Sequence, residues 1–232
     1  MKEQVCRRVL SSPRLVPVVE VAPYRFPGHL PTPEYPYSDG AWEEYWKASL
    51  KASGFSPLEP LFPGSFFVRT TELTCGDCLD IIIARELEDV ELDDDDDLPL
   101  SLDGGYVLYD SDEIVALPQC CGRLKDLADW REACEAKELI PGFWIGIGHP
   151  GLGVQVNEKI LSFRSDGPEE IHIEPFECSQ AVLGEQVQLA QKEVEAFYQR
   201  LLVRAQNMVG SSAKEICDGL VGKLCRVHED GW

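Results

Sequence analysis

The sequence has no long apolar run. Its uninterrupted apolar stretches are a few residues long, such as residues 81–83, whereas a helix that spans a membrane needs about 20 residues. The first eight residues are not followed by an apolar stretch that ends at a small-residue cleavage site, so no signal peptide is predicted. These two absences predict a soluble cytoplasmic protein without a membrane partner.

Positive charge is scarce. The chain has 21 Lys and Arg against 41 Asp and Glu, which gives a formal net charge of −20 on 232 residues. Such a surplus repels nucleic acid and anionic lipid, and it attracts cationic proteins or metal ions. The charge therefore predicts a basic protein partner and no direct binding of nucleic acid.

The acidic surplus is greatest between Glu86 and Asp97, where nine carboxylates occur without a cation. A run of this kind is typical of a solvated loop. Its functional interpretation is electrostatic steering, in which carboxylates speed the encounter with a basic partner and then pair with its Lys and Arg side chains. The residues predicted to bind the partner in this way are Glu88, Asp89, Glu91, Asp93, Asp94, Asp95, Asp96 and Asp97.

Histidine is scarce as well, with four in the chain, but there are nine cysteines. An odd number leaves at least one thiol unpaired, and the adjacent Cys120 and Cys121 do not suit a simple disulfide framework. Free thiols in a reducing cytosol are therefore predicted. Adjacent side chains are also expected to be poorly placed around one tetrahedral ion, and four histidines argue against a histidine-rich metal centre.

Cys75-Gly76-Asp77-Cys78 is the sharpest local motif. Two thiolates at this spacing can share one zinc ion, or form a reversible disulfide where a strand turns into a helix. The carboxylates of Asp77 and Asp80 are expected to raise the thiol pKa, which argues against the redox interpretation. A structural zinc site needs two further ligands. Three interpretations therefore stay open: inert buried cysteines with no cofactor, a zinc site at Cys75 and Cys78, or a redox pair.

Gly146, Gly148 and Gly151 have the spacing of the dinucleotide-binding fingerprint. That fingerprint requires a helix to begin inside it, so that amide groups face the pyrophosphate. The segment that follows, residues 154–156, is strand-like, so a turn is predicted instead. His149 lies in this turn without a recognisable catalytic partner, and the expectation is a histidine that bonds to a loop carbonyl. No catalytic residue is predicted.

The periodicity of the chain alternates between helical and strand-like. Apolar residues at helical spacing predict helices over 41–53, 79–87, 123–137 and 184–206, the first capped by Asp39 and ended by Gly54. In the second of these, the three adjacent isoleucines at 81–83 would also suit a buried strand. Strand-like composition between turn residues predicts strands within 66–71, 143–147, 153–156 and 159–164, and either one bent strand or a hairpin within 106–116.

Together these elements predict an α+β fold with a central, mainly antiparallel sheet flanked by helices. Seven prolines between residues 11 and 40 limit that segment to extended chain, with at most an edge strand near 15–21. The predicted organisation is a proline-rich extended N-terminal segment over 1–40, an α+β core domain over 41–180, and C-terminal helices packed on the core over 181–232.

Two segments carry a family resemblance. Residues 104–130 begin Gly-Gly-Tyr-Val-Leu-Tyr and continue through Leu-Pro-Gln-Cys-Cys-Gly-Arg-Leu, and residues 143–150 read Phe-Trp-Ile-Gly-Ile-Gly-His-Pro. Over roughly residues 60–175 the chain resembles uncharacterised bacterial proteins with the general features of immunity proteins of polymorphic toxin systems, including the SUKH superfamily. The resemblance implies an α+β fold with a central antiparallel sheet, a cytoplasmic location, no catalysis and tight binding to a cognate toxin. It carries over no functional residue.

These patterns favour a non-enzymatic, acidic cytoplasmic binding protein, an immunity protein that binds and neutralises a basic toxin. Charge would steer the association, and aromatic or aliphatic anchors would be buried at the centre of the contact. The alternative is a zinc-binding or thiol-redox protein that uses Cys75 and Cys78.

Overall fold

The computed structural model describes residues 7–34, 38–88, 100–149, 151–165 and 173–222. Within these residues the α+β expectation is confirmed, because strands that pair mainly antiparallel alternate with helices. In chain order the elements are β1 (Arg8–Val9), β2 (Pro13–Glu20), α1 (Asp39–Ala52), β3 (Phe67–Arg69), α2 (Gly76–Leu87), β4 (Gly104–Asp110), β5 (Glu113–Ala116), α3 (Leu127–Glu135), β6 (Trp144–Ile145), β7 (Leu152–Asn157), β8 (Ile160–Ser165), β9 (Phe176–Ser179), α4 (Gln180–Val209) and α5 (Ala213–Val221).

The chain divides into two compact units. The first consists of Met1–Val19 and Asp103–Val194, and the second of Glu20–Leu102 and Glu195–Trp232. Both units are thus assembled from segments that are distant in the chain. The division at residues 40 and 180 remains a prediction. None of the helices in the described part of the chain combines the length and apolarity that a membrane crossing requires.

The strands form two sheets. One has the order β1-β9-β8-β7-β6, with β1 parallel to β9 and the other pairs antiparallel. Strands β7 and β8 are joined by a two-residue turn in which Glu158 and Lys159 both have positive φ. That backbone matches the twist of a tight hairpin. The other sheet has the order β3-β2-β4-β5, and its β4–β5 hairpin covers the predicted segment 106–116 and begins two residues earlier, at Gly104.

Strand β2 differs from the expectation. It has eight residues, and it lies between β3 and β4 instead of at the edge of its sheet. Pro13 and Pro17 are four residues apart in it, so both missing N–H donors fall on the same edge of the strand. Since β3 is only three residues long, most of that edge needs no continuous ladder of donors. Two prolines are therefore compatible with an inner strand here.

Helix α1 carries a stripe of apolar side chains at helical spacing, Tyr45, Trp46 and Leu50, and all three are buried. Its N-cap is Ser38, whose side-chain oxygen accepts a hydrogen bond from the amide of Ala41 at 3.2 Å, and the predicted cap, Asp39, is the first helical residue. Trp46 is 1% exposed, and its indole donates to the carbonyl of Val21 at 2.8 Å. The stripe thus forms core of the second unit, as its spacing predicts.

The core of the first unit joins α3 to the five-stranded sheet. Trp130 on α3 lies 6.2 Å from Phe163 on β8, and Phe163 stacks on Phe176 of β9 with ring centroids 4.5 Å apart. All three side chains are essentially fully buried. Aromatic pairs of this kind stabilise by about 0.5–1.5 kcal/mol beyond the area they bury. Strand β6 lies at the edge of this sheet, and the connection from β6 to β7 carries His149.

Candidate functional site

The second unit places the Cys75/Cys78 pair at the start of α2. Cys75 is the residue immediately before the helix and is half-buried, whereas Cys78 lies in the first turn and is fully buried. Helix α2 forms here because Cys78, Leu79, Ile82 and Ile83 line one buried face. The motif therefore presents one thiol near the surface and holds the other beneath it.

The two thiols of this pair have opposite pKa shifts. The hydroxyl of Ser56, 3.2 Å from the Cys75 sulfur, is the largest of the causes that lower the pKa of Cys75, and the amides of Cys78 and Asp77 and the thiol of Cys78 add to it. Burial raises the pKa of Cys78 to about 11, helped by its hydrogen bond with Cys75. A thiolate at a helix N-terminus is also favoured by the helix dipole. Cys75 is thus the thiol that ionises first.

The pKa of Cys75 is lowered overall despite the neighbouring acids, contrary to the expectation from sequence, because the hydrogen bonds it accepts dominate. Asp80 is neutralised by Arg204, whose Nε lies 2.8 Å from Oδ1 and whose Nη2 bonds Oδ2. This hydrogen-bonded pair lowers the pKa of Asp80. The same guanidinium lies against Gly76, where an added Cβ would be 2.8 Å from Nη1. A cation therefore sits beside the thiol, and it offsets the carboxylate charge.

A second thiol cluster, in the first unit, contains Cys120, Cys121 and His149. One possible ligand atom from each residue lies within 4.8 Å of the others, and all three residues are exposed. Among the described residues, this is the one group of three or more His, Cys, Asp or Glu side chains with metal-ligand spacing. Cys75 and Cys78 have no such third ligand within the same residues, so a zinc site at that pair remains a prediction.

The adjacent cysteines were expected to be poorly placed around one ion, and the structure contradicts this. The amide of Gly122 donates to the carbonyl of Gln119 at 2.9 Å, which closes a four-residue turn with Cys120 and Cys121 at its two central positions. The turn brings the two sulfurs to 3.6 Å from each other. Their hydrogen bond raises the pKa of Cys121.

Close backbone contact brings His149 to this turn. The amide of Gln119 donates to the carbonyl of Ile147 at 2.5 Å. Gly148 follows with φ +102°, and a Cβ on it would lie 2.8 Å from the Gln119 carbonyl carbon and 2.9 Å from the Cys121 amide nitrogen. Only glycine fits this position without a shift of the backbone. His149 is the next residue, so the contact determines where its imidazole lies.

The spacing of Gly146, Gly148 and Gly151 reflects packing and not nucleotide binding. The amide of Gly146 donates to a carboxylate oxygen of Asp129 at 2.9 Å, and Gly151 lies against the ring of Trp144. The segment continues into β7, as the turn interpretation predicts. Beside the same loop, burial raises the pKa of Asp126 to about 6, although the amide of Arg123, which donates to it at 2.7 Å, acts in the opposite direction.

The predicted partner-binding residues are only partly visible. Glu88 immediately follows α2 and is exposed, and its carboxylate pairs with Arg85 at 2.9 Å. The other seven, Asp89, Glu91 and residues 93–97, lie outside the described residues.

Comparison of the chain with protein-family models, with curated proteins and with solved structures gave no match.

Proposed function

We propose that the protein carries out thiol–disulfide exchange through Cys75 and Cys78. One observation carries the proposal: a half-exposed thiol with a lowered pKa lies at the start of α2, directly over a buried thiol whose pKa is about 11. A nucleophilic thiol needs thiolate character and access, and a resolving thiol needs only proximity. All cysteines among the described residues are free, which supports a reducing compartment, and we propose the cytoplasm.

The exchange has two steps. The Cys75 thiolate attacks one sulfur of a substrate disulfide, either in a protein or in oxidised glutathione, forms a mixed disulfide and expels the first substrate thiolate, which takes up a proton. Cys78 then loses its proton to water and attacks the Cys75 sulfur, which releases the second substrate thiol. The substrate gains two electrons and the protein ends with a Cys75–Cys78 disulfide. An external thiol returns it to the reduced form.

Alkylation kinetics test the first step. We expect Cys75 to react with iodoacetamide faster than any other described cysteine, with a pH midpoint below the ordinary thiol value near 9. Cys75→Ser abolishes this fast phase. Cys134→Ser is the matched control, because burial raises the pKa of that thiol to about 12 and its removal leaves the phase unchanged.

Equilibration with glutathione tests the second step. We expect a 75–78 disulfide to form at a defined ratio of oxidised to reduced glutathione, whereas Cys78→Ser stops at a stable mixed disulfide on Cys75. Peptide mass spectrometry after alkylation distinguishes these products. If no 75–78 disulfide forms at any ratio, the proposal is wrong.

We infer a second candidate function from charge: an immunity-type protein that binds and neutralises a basic toxin. The proposal is supported by the ion pairs of the described residues. Many of the protein's cations are paired with its own carboxylates, and the surplus carboxylates, which give the net charge of −20, can attract a basic partner. These pairs are Arg7–Glu177, Arg8–Asp110, Arg14–Asp112, Arg25–Glu86, Lys47–Glu43, Arg85–Glu88, Arg204–Asp80 and Lys214–Asp218.

Two variants of equal charge test this candidate. In one, the five aspartates of residues 93–97 become asparagine; in the other, five exposed glutamates at positions 44, 72, 132, 135 and 138 become glutamine. Steering by the acidic run predicts that the first variant associates with a basic partner captured from the native host about tenfold more slowly at low salt, and that the second changes little. Equal rates for both variants would count against a role of the run.

A further inference from the structure

We propose that Cys120, Cys121 and His149 form a zinc site with three protein ligands and an open fourth position. The site is separate from the Cys75/Cys78 pair and uses none of its residues. Two thiolates and one imidazole are donors that suit Zn²⁺. The three residues come from two segments, a β-turn and the β6–β7 connection, and their donor atoms meet at the surface of the first unit.

The separation of the donors fits one tetrahedral ion. With Zn–S bonds of about 2.3 Å and tetrahedral angles, two thiolates on one zinc lie about 3.8 Å apart, and a thiolate and an imidazole nitrogen about 3.6 Å apart. The two sulfurs here are 3.6 Å apart, and all three donors lie within 4.8 Å of one another. Zinc binding thus needs only side-chain rotations that move the donor atoms by about an ångström, and the path of the backbone stays unchanged.

The backbone around the ligands is already constrained. The turn is closed by the Gly122 amide, the Ile147 carbonyl bonds the Gln119 amide, and Gly148 packs directly on the turn. A preformed arrangement reduces the ordering cost that a metal would otherwise have to offset.

The main competing fate of these thiols is a disulfide between neighbours. An S–S bond is about 2.05 Å long, so the two sulfurs would have to approach by roughly 1.5 Å. Both cysteines occupy the centre of a turn whose closing hydrogen bond and glycine contacts resist such a change. The observed spacing is therefore closer to that of two thiolates on one ion than to that of a bonded pair.

An open fourth position sets the chemistry of the site. Structural zinc sites are closed by four protein ligands, whereas three protein ligands leave room for water or an external donor. Since Cys120, Cys121 and His149 are all exposed, the fourth position faces solvent. It would accept water, or a thiolate, imidazole or carboxylate supplied by a bound molecule.

Metal titration of the full-length reduced protein tests the site. Zn²⁺ affinity is measured by competition with a chromophoric chelator, and Co²⁺ serves as the spectroscopic probe, with thiolate-to-cobalt absorption reporting sulfur ligation. We expect one equivalent to bind. Cys121→Ser and His149→Gln should each weaken binding by on the order of a hundredfold or more, and Cys121→Ser should also reduce the thiolate band.

The double variant Cys75→Ser, Cys78→Ser is the matched control, since it removes the same number of thiols from the other cluster. Unchanged binding and an unchanged cobalt spectrum in this variant assign the metal to Cys120, Cys121 and His149. Loss of binding in the double variant, retention in His149→Gln, or no stoichiometric binding by the native protein would each overturn the proposal. Thermal unfolding of every variant without metal shows whether a loss of binding reflects misfolding. Any of these three overturning outcomes would remove the zinc site without affecting the proposal of thiol–disulfide exchange, which is tested by alkylation and glutathione equilibration at Cys75 and Cys78.

Discussion

The Cys75/Cys78 pair and the Cys120/Cys121/His149 cluster both bring thiols together, but they depend on different levels of structure. The first pair is held at the start of one helix, because Cys75 is its N-cap and Cys78 is the third residue of its first turn. The second cluster depends on a contact between two separate segments, and its geometry rests on Gly148 and Gly122. The geometry of the Cys75/Cys78 pair should therefore tolerate backbone changes elsewhere in the chain. The geometry of the Cys120/Cys121/His149 cluster should be lost when one of these glycines gains a Cβ.

The strongest test of this difference is Gly148→Ala. The substitution combines a φ of +102° with a Cβ less than 3 Å from two backbone atoms, so the turn and the loop must separate. We expect the free energy of unfolding to fall by about 2–4 kcal/mol. Chemical denaturation measures this loss, and zinc competition should show weakened binding in the variant at temperatures where it stays folded.

Two glycine variants control for this result. Gly210→Ala also has positive φ, at +62°, but nothing lies within 4 Å of the added Cβ, so strain alone should cost about 1 kcal/mol. In Gly76→Ala the clashing group is the end of the flexible Arg204 side chain, which can move, so stability should change little. Equal losses in Gly148→Ala and Gly210→Ala would show that the loop contact is unimportant.

The same contrast explains what could be predicted from sequence. The helices and the Cys75/Cys78 motif rest on local periodicity and short spacing, so they could be predicted from the sequence. The turn residues near Asp110 placed the β4–β5 segment but left a bent strand and a hairpin open. The approach of His149 to Cys120 and Cys121 could not, because it depends on tertiary contact between segments that no local pattern links. The glycines at 122 and 148 were the available signal, since each marks a close approach of another backbone segment. The inner position of β2 was missed because β3 is short, which local composition does not show.

The pH dependence of stability gives a second test, at Asp126, which lies beside the loop that carries His149. Burial raises the folded-state pKa of Asp126 from 3.8 to about 6. A raised folded-state pKa means that this group favours the folded state fully below about pH 4, and that the benefit is lost as pH rises through about 6. Asp126→Asn keeps an oxygen that can accept from the Arg123 amide but carries no charge. From pH 4 to 7 we expect the native protein to lose roughly 1–2 kcal/mol relative to this variant, after allowance for solvent screening.

Asp110 provides a comparison of opposite sign. It accepts hydrogen bonds from the amides of Ser11 and Ser12 and pairs with Arg8, and these contacts lower its pKa. Its contribution to stability is present above its unfolded-state pKa and is lost as pH falls through the folded-state value. Urea unfolding should therefore show that Asp110→Asn has a lower free energy of unfolding than the native protein, and that this difference becomes smaller at acidic pH. If Asp126→Asn and Asp110→Asn gave the same pH trend, the burial argument for Asp126 would fail.

A smaller effect is expected at the first cluster from Ser56→Ala. Its hydroxyl makes the largest contribution to the lowered pKa of Cys75, so its removal should move that pKa upward toward the ordinary thiol value. At neutral pH the alkylation rate of Cys75 should then fall by roughly threefold to tenfold, with stability little changed. Ser53→Ala is a suitable control. Ser53 lies in the same connection between α1 and β3 as Ser56, but its hydroxyl donates to the Ser49 carbonyl and not to the thiol. An unchanged pH–rate profile would show that the helix start alone controls Cys75.

The smallest effect is expected from Arg204→Gln. Arg204 and Asp80 are both about one-third exposed, so their ion pair should contribute no more than about 1 kcal/mol to stability. Its effect on Cys75 is more informative, because the variant removes the cation beside the thiol and leaves Asp80 unneutralised. Both changes raise the pKa of Cys75, so alkylation near neutral pH should slow by a few-fold, and less at high salt, where charges are screened. Restoring neutrality with the double variant Arg204→Gln, Asp80→Asn should recover much of the rate. Recovery would assign the effect to charge, whereas a rate that stays low would assign it to the packing of the guanidinium over Gly76.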